Sequence, residues 1–225
     1  MGIFDADRLQ MMLLLAPGLL LSLTLHEVAH ARTALAFGDP TARNMGRTSL
    51  NPLRHLDPIG TLALFFIGFG WAKPVPVNPA NLHPPRMGDI AVSLAGPVTN
   101  LGLAVIFGLA TRAFIHFRLL AGTAVHETVL YMLIYTTLIN IILCVFNLIP
   151  LFPLDGHHVL GQIISPWRRV DYMRWQMQYG RILLIALIIG PGLLRMLTRN
   201  PNVPDPIGLL FSWARGLLLP LLGLQ

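Results

Sequence analysis

The chain has 225 residues, of which 54% are hydrophobic and 12% charged, about half the charge of an ordinary soluble domain. A mean hydropathy of +0.64 and long apolar runs exclude a water-soluble globule and indicate a polytopic membrane protein. The net charge of +6 is almost wholly arginine, with Lys73 the one lysine, and because these charges fall in short loops between apolar runs they orient the chain in a bilayer rather than suggest nucleic acid as a partner.

The N-terminus carries Asp5 and Asp7 in place of a basic cluster, so it is not read as a cleavable signal. The first apolar segment, residues 8–37, is long enough to span, with Pro17-Gly18 as a candidate kink. Ser22, His26, His30 and Thr33 recur every three or four residues and form a polar stripe on it. Within it, residues 25–32 read LHEVAHAR. His26 and His30 are four apart and so share one helix face, with Glu27 beside them. Two neutral imidazoles suit Zn²⁺, and an adjacent carboxylate can take a proton from a water held by the ion. This is the H-E-x-x-H pattern of metal-assisted hydrolysis. Ionisable groups inside an apolar span are expensive and mark function.

Gly38-Asp39-Pro40 ends that helix. Residues 41–87 are mixed in character. Residues 43–58 are read as loop or extended chain. Residues 59–70 are apolar but too few for an ordinary span, which suggests a re-entrant or core segment. Residues 71–79 (WAKPVPVNP) must be extended, because alternate prolines cannot continue a helix. Spans are expected at 88–115, where small residues around Ala95-Gly96-Pro97 allow close packing, at 129–148 and at 181–197. Residues 165–180, with Arg168, Arg169, Arg174 and nearby aromatic residues, read as interfacial. Residues 207–222 either span or lie in the interface. The expectation is an all-α membrane protein: a bundle of about five to six transmembrane helices, with a short extended or β region and a re-entrant segment after the first helix. The whole chain, 1–225, is read as one domain, with a core at 8–165 and C-terminal helices at 175–225. No internal repeat is visible. Cys144, the one cysteine, reads as a buried small hydrophobe.

Arg43, Arg47, Arg54, Lys73 and Arg86 fall in one loop, and Arg168, Arg169 and Arg174 in another on the same side. That side is expected to be cytoplasmic. His26 and His30 lie toward it, as does the turn after the third span. There the chain reads NLIPLFPLDG over residues 147–156. Pro150 and Pro153 break the helix, and Asp155 then sits on a turn, where its carboxylate is a suitable third Zn²⁺ ligand. His157 and His158 follow. They are read as groups that pack or hydrogen-bond behind the ligands, with direct ligation as the alternative. His55, His83, His116 and His126 are read as structural.

These motifs resemble the site-2 protease family of intramembrane zinc metalloproteases, in its compact prokaryotic form. The resemblance rests on HEVAH and NLIPLFPLDG, reinforced by GRTSLNPLRHLDPIGT at 46–61, GWAKPVPVNP at 70–79 and AGPVTN at 95–100. It implies His26, His30 and Asp155 as ligands of one Zn²⁺ and Glu27 as acid/base. It also implies that Asn147 positions the scissile backbone or helps stabilise the oxyanion. The implied activity is hydrolysis within membrane-anchored regulatory proteins at the cell membrane, with the active site toward the cytoplasm. No loop is long enough for a PDZ domain. Residues 71–77 or 46–50 are candidate edges against which an unwound substrate could pair. The rival reading is a non-enzymatic intramembrane metal-binding or transport protein, but transporters usually carry paired repeats.

Overall fold

The computed structural model describes residues 6–67, 70–221 and 223. Among them the fold is helical: α1 (Ala6–Ala36), α2 (Thr41–Asn44), α3 (Pro58–Ile67), α4 (Pro85–His116), α5 (His126–Asn147), α6 (Asp155–Ile163), α7 (Pro166–Trp175), α8 (Arg181–Thr198) and α9 (Pro206–Leu221). No β-strand forms among the described residues, and the expected extended or β region holds one antiparallel bridge, Leu56 with Ala72, followed by residues 73–78 outside any helix or strand. Asp5 lies outside the described residues.

Four helices are long and apolar enough to cross a membrane: Gln10–Ala36, Pro85–His116, His126–Asn147 and Pro166–Thr198. This is an all-α membrane protein. Five to six spans were expected, and of the segments read as spans only residues 207–222, whose described residues fall in helix α9, are not among these four. The stretch read as interfacial is not separate, because a π-helical turn at Gln176–Gly180 joins α7 to α8 in one continuous rod. Helix α9 has 16 residues, a length of about 24 Å against a hydrocarbon core of about 30 Å. It packs on the bundle through Ala214, which meets Ala104 and Ile141. Residues 59–67, expected as re-entrant, fall within helix α3, and residues 68–69 lie outside the described residues.

Helices α1, α4 and α5 pack together as the core, with α6 laid on α4. The approach of α1 to α5 is close because position 18 has no side chain: a Cβ at Gly18 would lie 2.2 Å from Thr136 Oγ1. The neighbouring Pro17 is accommodated inside α1. A second close approach brings α6 under the end of α5, where a Cβ on Gly156 would meet the Leu148 carbonyl oxygen at 2.3 Å.

After α1 the chain is fastened by Asp39, which is fully buried. Its Oδ1 accepts from the Thr41 amide and hydroxyl and from Asn81 Nδ2 (2.9 Å), and its Oδ2 accepts from the Asn78 amide (2.7 Å). Ala34, Leu82 and Val92 pack beside it with Phe37 and Val77. Asp39 thereby clamps the extended residues 73–78 against α1. That segment turns its amides inward: Lys73 N donates to His55 O (2.8 Å) and Val75 N to Glu27 Oε2 (3.1 Å).

Desolvation raises the Asp39 pKa, but the hydrogen bonds from Thr41, Asn81 and Asn78 outweigh it and hold the carboxyl below its ordinary value. Its stabilisation is therefore complete above the unfolded pKa of about 3.9 and is lost as pH falls through the lower folded pKa. Asp39→Ala is expected to cost about 2–4 kcal/mol at neutral pH. Thermal unfolding of the purified protein in detergent should show that difference shrinking below about pH 4.

Candidate metal centre

His26 and His30 face inward from α1, and both are buried. A chain of hydrogen bonds fixes the His26 ring. The Ser22 hydroxyl donates to the Gly18 carbonyl (2.6 Å), and the Asn140 amide donates to Ser22 Oγ and to the Thr136 carbonyl (both 2.8 Å). Asn100 Nδ2 donates to Asn140 Oδ1 (2.9 Å), which leaves Asn100 Oδ1 facing His26 Nδ1 at 2.6 Å. Every direction in this chain follows from backbone carbonyls that can only accept. His26 Nδ1 therefore carries the proton, and its Nε2 presents a lone pair. The same holds for His30, whose Nδ1 faces the Val92 carbonyl at 2.7 Å.

The two lone-pair nitrogens point at each other, 3.0 Å apart. Asp155, the first residue of α6, brings its Oδ2 to 3.4 Å from each. That oxygen is buried and has no hydrogen-bond partner. Three acceptor atoms thus converge with no donor between them. A tetrahedral Zn²⁺ with bonds of about 2.0–2.1 Å holds its ligand atoms about 3.3 Å apart, so the donor set fits the ion in both chemistry and spacing. Helix α4 leaves the room: a Cβ on Gly96 would lie 2.4 Å from His26 Cε1 and from His30 Nε2.

Among the described residues this is the one group of three or more His, Cys, Asp or Glu side chains so arranged. Glu27 is buried beside it, and its Oε2 is held by the Val75 amide. The structure joins Asn147 to the group through no contact among the described residues; its Nδ2 donates to the Leu143 carbonyl in its own helix (2.9 Å). His157 and His158 are not in the group. His157 Nδ1 faces the Leu154 carbonyl at 2.5 Å, and burial pushes its pKa down. His158 Nδ1 lies 3.6 Å from Asp89 Oδ1.

Residues that sequence reasoning passed over hold Asp155 in place. Gln176 is almost fully buried; its Oε1 accepts from the Phe152 amide and its Nε2 donates to the Pro150 carbonyl (both 2.8 Å). It pins the proline turn that leads into α6. Asp89, buried on α4, accepts from Gln162 Nε2 and faces His158 and Arg169, which ties α6 and α7 to the bundle. Asn140 lies amid an apolar span, and its polarity alone was the signal that could have singled it out.

Known proteins resemble the chain as follows. The model of peptidase family M50 matches residues 113–189. A Bacillus subtilis protein named "Putative zinc metalloprotease YwhC" is 41% identical over 175 residues, covering 77% of this chain and 78% of the relative. "Putative zinc metalloprotease Rip2" of Mycolicibacterium smegmatis is 31% identical over 188 residues, covering 81% and 69%. "Zinc metalloprotease MJ0392" of Methanocaldococcus jannaschii is 26% identical over 157 residues, covering 69% and 35%. No solved structure matches significantly.

Two substitutions test the geometry. Gly96→Ala should displace both imidazoles and abolish stoichiometric zinc in the purified protein, read by elemental analysis. Asn100→Leu releases the His26 ring and should weaken zinc binding about 10–100-fold, read by competition with a chelating dye.

Proposed function

The chain belongs to peptidase family M50, the site-2 protease family of zinc metalloproteases, and on that premise we propose that it hydrolyses peptide bonds within or next to transmembrane segments of membrane-anchored proteins. The observation that carries this reading is the convergence of His26 Nε2, His30 Nε2 and Asp155 Oδ2 between helices apolar enough to span. We assign these three residues as ligands of a single zinc ion.

When bound there, zinc supplies a Lewis acid that acidifies a water and polarises the scissile carbonyl. Glu27 is the proton carrier. Its carboxylate takes a proton from the attacking water and returns it to the leaving amine, while the Val75 amide at Oε2 keeps the side chain in place. Asn147, on the last residue of α5, is the assigned partner for the substrate backbone or the developing oxyanion. Its amide exchanges the Leu143 carbonyl for the substrate.

A helical substrate hides its carbonyls in i→i−4 bonds and must unwind to be cut. Of the two candidate edges, residues 71–77, tied to Glu27 through the Val75 amide, are the one we assign to the unwound chain. The basic residues Arg43, Arg47, Arg54, Lys73 and Arg86 support an orientation with this edge toward the cytoplasm.

The test uses purified protein and a panel of single-span substrates. Wild type should cut at least one of them, and a zinc chelator should stop it. Glu27→Gln should retain its zinc while losing about 10²–10⁴-fold in cleavage rate. A Glu27→Gln protein that cuts at the wild-type rate, or a wild type that moves zinc across vesicles without cutting, would overturn the reading.

A further inference from the structure

A second polar site lies outside the metal centre. Met45, Arg47, Leu53, Arg54, Leu56 and Lys73 line a cavity of about 240 Å³. Arg47 is only 4% exposed, and its Nε has no hydrogen-bond partner. Of its other nitrogens, Nη2 donates to the Lys73 carbonyl. Gly46, at a φ of +69°, lets Arg54 fold against the loop: a Cβ there would lie 2.5 Å from Arg54 Nη1. Among the described residues none of the three cations makes an ion pair. Glu27 is the one carboxylate that acts on Arg47 electrostatically, so three positive groups around one hole, one of them buried with its Nε unpartnered, keep a net positive charge that an anion would satisfy.

The surroundings say which anion. The apolar side chains that line the cavity include Leu53, 76% exposed, and Met45, 59% exposed. The segment joins two membrane-crossing helices, α1 and α4, and so lies toward a bilayer face. Cations beside exposed leucine and methionine side chains match the composition of a membrane interface. The guanidinium fork suits a phosphate oxygen pair, and the volume admits a headgroup rather than a length of peptide. We propose that this cavity binds the phosphate of an anionic phospholipid, with Arg47, Arg54 and Lys73 around the headgroup and the apolar rim along the first acyl methylenes. The bound lipid would sit close to Glu27, because the Lys73 carbonyl meets Arg47 and, two residues on, the Val75 amide meets Glu27.

The experiment is native mass spectrometry of the full chain in neutral detergent, titrated with dioctanoyl-phosphatidylglycerol, dioctanoyl-phosphatidylcholine or inorganic phosphate. Wild type should take up one phosphatidylglycerol saturably and bind the choline lipid and free phosphate much more weakly. Arg54→Gln combined with Lys73→Gln should lower phosphatidylglycerol affinity about ten- to thirtyfold. Arg199→Gln, at the far end of α8, should leave it unchanged. The zinc content of every variant should stay at the wild-type level, which separates this result from failure of the metal site or the fold. The proposal is overturned if the double variant binds the lipid as wild type does, or if phosphatidylcholine or free phosphate binds equally well. An acidic single-span peptide that loses binding in the double variant while the lipid does not would assign the cations to substrate and likewise overturn it.

Discussion

Two imidazole nitrogens and a carboxylate oxygen, each with a lone pair turned toward the others, lie within 3.4 Å of one another in an apolar bundle. Such a cluster repels itself, and low dielectric strengthens the repulsion. The fold must hold it together by force from behind. It does so with a one-way chain of hydrogen bonds from Gly18 through Ser22, Asn140 and Asn100 to His26, and with the Val92 carbonyl behind His30. Each link takes its direction from the one before, so the tautomer of His26 is set by a backbone carbonyl two turns away on the same helix.

The same requirement explains where the close packing lies. Gly18 brings α5 near enough for Asn140 to reach Ser22, Gly96 brings α4 under the imidazoles, and Gly156 brings α6 under the end of α5. At each place a side chain would occupy the space a polar contact needs. Around these contacts the bundle is built largely of aliphatic residues, and the helix ends carry the clamps: Asp39 at the end of α1, Gln176 and Asp89 around α6.

Much of this was legible beforehand. Helical spacing placed His26, Glu27 and His30 together, and the proline turn before Asp155 marked a chain segment free to return to them. The apolar runs marked the long helices, since length and hydropathy are local properties of the sequence. What was hidden depends on the third dimension. Residues 59–67 have a length that helix and re-entrant loop share, and periodicity cannot separate the two. The joining of α7 to α8 was masked because the arginines and tryptophans of the first half look interfacial, whereas their helix simply continues into the apolar half. Asn140, Gln176 and Asp39 look like ordinary polar residues until their partners, far along the chain, are known.

Residues 73–78 carry two prolines at alternate positions. Successive residues of such a segment face opposite ways, and Lys73 and Val75 spend their amides on the protein's own interior. Pro74, between them, and Pro76, after Val75, have carbonyls and no N–H. Their outer side is therefore all acceptor. Another copy of the same edge has nothing to donate to it, so the exposed border resists self-assembly into a shared sheet. Any chain that paired there would have to lend its own amide hydrogens, which a chain still engaged in a helix does not have to give.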